Sequence, residues 1–311
     1  MSEKTKSKGK KHPLRYIVIS VFAVAAVLCI IFGKGSILSG LENTLGGRGN
    51  NPSFGAEGIG IVYFDVGQGD SALVICDGKT MLIDAGENGY EEELITRLHS
   101  LGIKKLDYAV CTHFHTDHIG GMPEIIDEFA PDTVLMPAVR PELIPDSYTY
   151  GVLIESISEY DAEIVNPVFG ESFDFGKAKV YTLGPVSDDA ENHNDSSLIL
   201  KFTYGKRSFL FTGDAEKDEE LSVIAEGADV SADVLKVGHH GSANSSCAAF
   251  LEKVSPSYCI ISVGAGNDYG HPNEALEKRL LQYTGKIYRT DICSDIYLVS
   301  DGNKIKITYG E

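Results

Sequence analysis

The sequence predicts an α/β fold in which two β-sheets pack together and helices cover their outer faces. From Gly60 onward, short apolar segments alternate with turn residues, as strands and their turns do. The first segments are all strand-like: IVYFDV, SALVIC and TMLIDA. Later strands alternate with amphipathic helices, such as EEELITRLHSLG, EKDEELSVIAEG and NEALEKRLLQY. Strands first, then mixed helices and strands, favour two helix-covered sheets.

Each predicted element follows from its residue pattern. Leu94, Ile95, Leu98 and Leu101 recur at helical spacing, and Gly102 ends this helix. The segment LDYAVCT indicates a buried strand, and the proline in GGMPEIIDEF is typical of a first helical turn. Further strands are predicted in KVYTLG, SLILKFTY, SFLFTG, DVLKV and YCIISVG, and a further helix in AAFLEKV.

The composition is that of a strongly acidic globular chain. Of its 311 residues, 43% are hydrophobic and 23% charged, which excludes wholesale disorder. The first 57 residues hold eight Lys or Arg and three Glu, so the net charge of −18 divides into +5 there and −23 over residues 58–311. A domain this acidic repels polyanions at long range. The six cysteines show no C-x-x-C spacing, and we expect mostly buried free thiols.

The amino terminus has the pattern of a membrane anchor. Residues 16–33, YIVISVFAVAAVLCIIFG, are uncharged and close to the ~20 residues that cross a bilayer. The preceding basic residues predict a cytoplasmic tail (1–15), a transmembrane helix (16–33) and an extracytoplasmic remainder. Residues 34–58, rich in Gly, Ser and Asn, predict a flexible linker to a catalytic domain over 59–311. The alternative is a cleaved signal peptide, although its apolar region is usually shorter. We therefore expect a single-pass protein of the cell membrane.

Five of the nine histidines fall in two clusters that have the composition of a metal site. In the first, THFHTDH, His113 and His115 share one face of an extended loop, while Asp117 and His118 turn toward a second ion. Imidazole and carboxylate without thiolate suit Zn, Mn or Fe in an open catalytic site. Such a cluster after a buried strand favours a metal site over a polar surface loop.

The second cluster, GHHGSANSS, follows the predicted strand DVLKV and supplies His239 and His240. Between the clusters, Asp214 comes at the carboxyl end of the strand in SFLFTG. A carboxylate can bridge two ions through its two oxygens, and the loops at strand ends often carry functional sites. Taken alone, Asp214 would more often be a turn or helix-cap residue. The two histidine clusters favour the bridging interpretation.

Together these motifs resemble the metallo-β-lactamase superfamily and, more narrowly, the hydrolase domain of the ComEC family of competence proteins. The supporting segments span residues 60 to about 290 in the family's order: FDVGQGDSALV, LIDAG, THFHTDHIGG, NDSSLIL, LFTGDAE, DVLKVGHHGS and YGHPN. The resemblance implies an αββα sandwich with two divalent metal ions, Zn or Mn, at one edge. It also implies metal ligands for a first ion (His113 and His115), a second ion (Asp117, His118 and His240) and a bridge between them (Asp214).

The resemblance further implies residues that act on or hold the substrate. Asp117 and His239 are the implied catalytic residues, and His239 would contact or protonate the substrate. Which of the adjacent His239 and His240 binds metal is left open. Asp84 would stabilise the histidine loop from outside the set of metal ligands. The residues expected on the substrate side are Ser242, Asn244 and His271.

The chain departs from the family pattern in three ways. The ComEC family often has Asp where this chain has His115, so the metal set here is fuller. Only His193 and Asn194 lie near the place of the superfamily's third histidine of the first site, and His193 is the predicted ligand of the two, although the family usually has Asn there and no ligand. One apolar span stands in place of the family's many-helix channel, so we do not expect the chain to conduct DNA by itself.

These features predict hydrolysis of a phosphoester. Water activated by two metal ions is a nucleophile at neutral pH, and His239 could act as a general acid. The first hypothesis is an extracytoplasmic nuclease or phosphodiesterase, for which Lys236 and Arg289 are the basic candidates closest to the motifs. The second hypothesis is an esterase that hydrolyses a cell-surface phosphoester such as a choline-phosphate decoration. The domain charge of −23 disfavours the binding of such a substrate less than it disfavours the binding of DNA. The third is an inactive metal-binding envelope scaffold, against which the complete ligand set argues. No protein partner is indicated.

Overall fold

Two β-sheets lie at the centre of the computed structural model, which describes residues 58–186 and 192–310. The first sheet contains β1 (Ile59–Tyr63), β2 (Ala72–Cys76), β3 (Lys79–Ile83), β4 (Tyr108–Val110), β5 (Thr133–Leu135), β6 (Glu163–Val165), β14 (Ile296–Ser300) and β15 (Ile305–Tyr309). The second sheet contains β7 (Ser172–Phe175), β8 (Ala178–Gly184), β9 (Ile199–Tyr204), β10 (Arg207–Phe211), β11 (Val234–Lys236), β12 (Tyr258–Ile261) and β13 (Ile287–Arg289).

Each sheet has a parallel half and an antiparallel half. The first sheet has the order β15-β14-β1-β2-β3-β4-β5-β6, in which β3 to β6 run parallel. The second has the order β13-β12-β11-β10-β9-β8-β7, in which β10 to β13 run parallel. Carboxyl ends of neighbouring parallel strands lie at the same edge of a sheet, which is where loops build functional sites.

Helices cover the outer face of each sheet. They are α1 (Glu91–Ser100), α2 (Thr116–Ile119), α3 (Met122–Phe129), α4 (Tyr148–Glu159), α5 (Lys217–Ala225), α6 (Ala248–Val254), α7 (Glu274–Leu280) and α8 (Thr290–Cys293). Leu94, Ile125 and Leu153 pack α1, α3 and α4 on the first sheet. Val223 and Phe250 pack α5 and α6 on the second, and a third apolar cluster fills the space between the sheets. The expected αββα layering is therefore present.

Not every element was predicted from the sequence. The helix α4 was missed because it is rich in poor helix formers, including Gly151, and buries only Leu153, Ser156 and Ile157. The short strands β5 and β6 were not predicted either. The strands and helices that were predicted are all present, although their ends differ from the predicted ends by a few residues.

The expected tail (1–15), transmembrane helix (16–33) and all but the last residue of the linker (34–58) lie outside the described residues. Across 58–186 and 192–310, no helix combines the length and the apolar composition needed to cross a bilayer. The five cysteines in this part of the chain are free thiols, as predicted, and three of them are buried: Cys76, Cys111 and Cys259.

Candidate metal centre

Strand ends from both sheets bring the two histidine clusters together. His113 follows β4 of the first sheet, and the short helix α2 then carries Asp117 and His118. From the second sheet, Asp214 follows β10 and His240 follows β11. His113, His118, Asp214 and His240 are all at most 1% exposed. The loops therefore converge on one buried cluster of imidazoles and carboxylates.

One group of donor atoms centres on His113. Its Nε2 lies 3.0 Å from Nδ1 of His115 and 3.9 Å from Oδ2 of Asp214. The donor atoms of these three residues lie within 4.8 Å of one another. The ring of His193 packs 5.2 Å from that of His115, but His193 is not part of this group. The ring of His193 thus lies beside this group of donors, and its buried Nδ1 has no hydrogen-bond partner among the described residues.

A second group centres on His118 and His240. Nε2 of His118 lies 3.2 Å from Oδ1 of Asp214, and Nε2 of His240 lies 3.5 Å from Oδ2 of Asp214. Nε2 of His240 is also 3.2 Å from Oδ2 of Asp117. Asp214 therefore contacts both groups, as a bridging carboxylate must. Of the adjacent histidines, His240 is the buried one that faces the donors, whereas Nδ1 of His239 lies 3.0 Å from Oε1 of Glu216.

Asp84 orients the first histidine cluster through its contacts with Thr112 and His118. Its Oδ1 accepts a hydrogen bond from the backbone N–H of Thr112 at 2.8 Å, and its Oδ2 accepts one from the Thr112 hydroxyl at 2.6 Å. The same Oδ2 lies 2.8 Å from Nδ1 of His118. A carboxylate on Nδ1 fixes the tautomer that leaves Nε2 free to bind a metal ion.

The donor set fits divalent metal ions. Nε2 of His118 and Oδ1 of Asp214 are buried without a hydrogen-bond partner in the described part of the chain, although such atoms are normally satisfied. Burial lowers the pKa of His118, but the Asp214 and Asp84 carboxylates hold it well above its usual value. Burial likewise lowers the pKa of His240, and Asp214 and Asp70 raise it to about 10. Carboxylates that stabilise positive charge on buried imidazoles would stabilise cations in the same place.

The loops that carry the cluster have unusual backbone conformations. Asp84, His239 and His240 have positive φ values of 57°, 48° and 50°, which cost a non-glycine residue roughly 1–2 kcal/mol each. Such conformations concentrate at functional sites. At Gly69 a Cβ would come within 2.4 Å of the Asp117 carbonyl oxygen, so only glycine allows this close approach to α2.

Two residues that contact the cluster, Asp70 and Glu216, were not predicted from the sequence. Oδ1 of Asp70 lies 3.2 Å from Nδ1 of His240, although Asp70 had no predicted role within the segment FDVGQGDSALV. Glu216, which contacts His239, was interpreted only as part of a helix. Its position two residues after Asp214 was a usable signal, because residues two apart in an extended loop share a face.

A cleft of about 640 Å³ opens above the cluster. His115, Asp117, His239 and His271 line it, together with a loop that ends at the cis His271–Pro272 bond. Tyr269, on this loop, is 72% exposed, and its ring stacks on His271 with centroids 5.8 Å apart. Among the described residues that line the cleft there is no Lys or Arg.

Several residues expected to face the substrate lie elsewhere. Ser242 is buried and accepts a hydrogen bond from the Asn244 backbone N–H, and Asn244 lines a separate cleft beside Lys217. Neither of the basic candidates for nucleic-acid contact, Lys236 and Arg289, lines the cleft. Lys236 is 3% exposed beneath the cluster, and Arg289 forms ion pairs with Glu277 and Asp291, because both cations compensate buried or partly buried carboxylates.

The fold and this cluster define the class of protein: the chain belongs to the metallo-β-lactamase superfamily, whose family model matches residues 64–264. The superfamily generally consists of metal-dependent hydrolases, and the fold usually binds two metal ions. The His and Asp cluster is a candidate for that site.

Particular relatives confirm the resemblance to ComEC-like hydrolase domains. The chain is 30% identical to ComE operon protein 3 of Bacillus subtilis over 77% of its own length and 33% of that protein. It is also 30% identical to Competence protein ComA of Neisseria gonorrhoeae, over 75% of this chain and 31% of that protein. The chain thus spans about a third of the length of these curated relatives. Among solved structures, the diiron β-hydroxylase CmlA from Streptomyces venezuelae has a TM-score of 0.54 at 18% identity, over 85% of this chain and 60% of that one, which shows a shared fold.

Proposed function

We propose that this chain is a dinuclear metal-dependent phosphodiesterase of the ComEC-like type. The observation that supports it best is the position of Asp214, whose Oδ1 lies 3.2 Å from His118 and whose Oδ2 lies 3.9 Å from His113. One divalent ion, Zn or Mn, would be held by His113, His115 and Asp214, and a second by Asp117, His118, Asp214 and His240. When bound, the ions would supply Lewis-acid activation of water and of a phosphoryl oxygen.

His239 is placed to transfer a proton at the mouth of the site. Oε1 of Glu216 lies 3.0 Å from Nδ1 of His239 and accepts a longer hydrogen bond, 3.3 Å, from the Asn194 amide. Glu216 therefore orients the ring so that Nε2 lies on the side of Asp214, 3.8 Å from its Oδ2. With Nδ1 in contact with the Glu216 carboxylate, Nε2 of His239 is the nitrogen that would donate a proton to the leaving oxygen. His239 would then act as the general acid.

We further propose that the domain acts at the outer face of the cell membrane, anchored by residues 16–33. The apolar stretch and the basic residues before it support this topology. The competence function named for ComA of Neisseria gonorrhoeae supports DNA as the first polymeric substrate to test.

A second candidate function is the hydrolysis of a cell-surface phosphoester with a cationic group, such as a choline-phosphate decoration. The lining of the cleft favours it, since Glu87 and Asp268 supply carboxylates and Tyr269 supplies an exposed ring. An aromatic face and carboxylates attract a small organic cation, whereas a polyanion would meet no basic residue among the described lining residues.

One set of assays separates these functions. The purified full-length chain with Mn or Zn should hydrolyse bis-p-nitrophenyl phosphate, and its turnover of single-stranded DNA should fall as salt rises, with a slope of about −0.7 per phosphate contacted. A choline-phosphate ester should show a KM that varies little with salt. Tyr269→Ala should raise that KM and leave bis-p-nitrophenyl phosphate unaffected, whereas Tyr148→Ala, which changes another exposed tyrosine, should alter neither.

Two outcomes would contradict the proposal. Salt-insensitive, processive DNA degradation would contradict the charge argument and establish a nuclease of another design. A chain that holds two metal ions and hydrolyses no phosphoester would exclude both candidate functions and favour a hydrolase of another substrate class or a scaffold.

A further inference from the structure

A buried ion pair lies directly beneath the candidate metal centre. Lys236, the last residue of β11, is 3% exposed, and its Nζ lies 2.7 Å from Oδ2 of Asp70. The same Nζ donates to the carbonyl oxygen of Val237 at 2.9 Å. Asp70, in the loop between β1 and β2, is 5% exposed. Because a buried charge is costly without a partner, the pair links the two sheets as a neutral unit.

The second oxygen of Asp70 contacts a candidate metal ligand. Oδ1 lies 3.2 Å from Nδ1 of His240, and the same nitrogen donates to the Ser262 carbonyl oxygen at 3.1 Å. The Ser262 carbonyl oxygen accepts the proton on Nδ1, and Oδ1 of Asp70 faces the same nitrogen without making a hydrogen bond of its own. The other nitrogen, Nε2, is then free to face Asp117 and Asp214, 3.2 Å and 3.5 Å away. Asp70 thus faces Nδ1 of His240 as Asp84 faces Nδ1 of His118, although only Asp84 makes a hydrogen bond to its histidine.

Asp70 is close enough to the donors to be considered a ligand itself. An oxygen of its carboxylate lies within 4.8 Å of donor atoms of His118, Asp214 and His240. However, one oxygen faces the ammonium group of Lys236, and the other faces the outer nitrogen of His240. A carboxylate used in this way supports a ligand from behind, an arrangement that raises metal affinity in metalloproteins.

We propose that the Lys236–Asp70 pair positions His240 and thereby sets the affinity of the second metal position, without Asp70 or Lys236 binding the ion. This inference rests on the metal centre of the proposed function. Asp70 supplies the carboxylate that fixes the imidazole, and Lys236 neutralises it. The carboxylates left to face the ions are then those of Asp117 and Asp214, with Asp84 held by His118 and Thr112.

The test measures metal affinity rather than turnover. In the full-length chain, Asp70→Asn combined with Lys236→Met removes both charges and keeps the side-chain sizes similar. We expect the affinity for the second ion to fall about 10- to 100-fold, so that metal content at limiting Zn or Mn drops from two ions per chain toward one. The control is Lys201→Met on β9, which removes another buried lysine whose partner is the exposed Asp229.

Circular dichroism of each metal-free variant establishes that it folds. If the double variant does not fold, Asp70→Asn alone supplies the measurement, and it should also weaken the second ion. Unchanged affinity for the second ion, or an equal loss of affinity for both ions, would overturn the proposal. Because the readout is bound metal, a chain that binds two ions but hydrolyses no phosphoester would contradict the proposed function and leave this inference standing.

Discussion

Nε2 of His118 lies 3.2 Å from Oδ1 of Asp214, and within the described residues neither atom has a hydrogen-bond partner. Both side chains are almost fully buried where loops from the two sheets converge. The two groups attract each other electrostatically, but their contact does not have the geometry of a hydrogen bond. A shared cation would satisfy both atoms at once, which is the central claim of the account.

Asp214→Ala should abolish hydrolysis and lower metal content from about two ions per chain, because it removes the carboxylate shared by both donor groups. The domain should stay folded, since the change deletes little apolar packing. Elemental analysis and circular dichroism measure the two effects. Asp174→Ala, at an exposed carboxylate, should change neither. An active Asp214→Ala variant that retains two ions would exclude the bridging role.

His239→Ala should lower kcat by about 10²- to 10⁴-fold while the bound metal stays unchanged, as expected for loss of a general acid. Glu216→Gln should have a smaller effect of about 10-fold, because the amide can still accept a hydrogen bond from Nδ1. Asp218→Asn, on the exposed side of the same segment, should leave kcat at its original value. Loss of a metal ion in His239→Ala would instead make His239 a ligand.

The stability of the metal-free chain should depend on Glu220. Burial raises the pKa of this fully buried carboxyl to about 7, from an ordinary value of 4.5, even though it accepts hydrogen bonds from the backbone N–H groups of Ser246 and Cys247. The folded state therefore binds a proton that the unfolded state releases. The contribution of protonated Glu220 to the free energy of unfolding is therefore complete below pH 4.5. It is lost as the pH rises to 7, at about 1.4 kcal/mol per pH unit.

Urea unfolding between pH 4.5 and 8 tests this dependence. Glu220→Gln should lack the decline with pH. The free energy of unfolding of the variant, measured relative to that of the unmodified chain, should therefore increase from pH 4.5 to pH 7. Above pH 7 the difference between the two should stay constant. Glu226→Gln, at the exposed end of the same helix, should follow the unmodified chain throughout. Parallel curves for Glu220→Gln and the unmodified chain over the whole range would show that Glu220 is not the titrating group.

The anchor proposal makes a prediction about topology. Protease added to intact cells should cut within residues 34–58, because a Gly- and Ser-rich linker outside the membrane is accessible. Replacing Lys8, Lys10, Lys11 and Arg15 with neutral residues should weaken retention of the amino terminus inside the cell. Complete protection of the linker, in cells whose outer layers admit the protease, would contradict the orientation.

The sequence allowed the strongly periodic elements and the metal-binding motifs to be predicted because each is local. An apolar strand followed at once by THFHTDH or GD carries both the element and the donor in one short segment. Such a pattern singles out His113 as a candidate without knowledge of the fold, whereas Asp214 became a candidate only beside the two histidine clusters. Choosing between His239 and His240 needed the structure, because both follow the same strand and only His240 is buried in the cluster.

The contacts between sheets could not be predicted. Asp70 and Lys236 belong to different sheets, and nothing in GQGD or in DVLKV indicates that the two charges meet. Proximity along the chain to the GHHGS motif therefore made Lys236 a candidate for nucleic-acid contact, although it does not line the cleft. Ser242 shows the same limit, since the loop turns its hydroxyl toward the Asn244 backbone rather than toward the cleft.

The most direct test measures bound metal and phosphodiester turnover on one preparation of the full-length chain during stepwise removal of metal by a chelator. We expect about two ions per chain at the start, loss of bis-p-nitrophenyl phosphate hydrolysis as the ions leave, and recovery when Zn or Mn is restored. Hydrolysis that persists in the metal-free chain, or a chain with two bound ions and no hydrolysis, would contradict it.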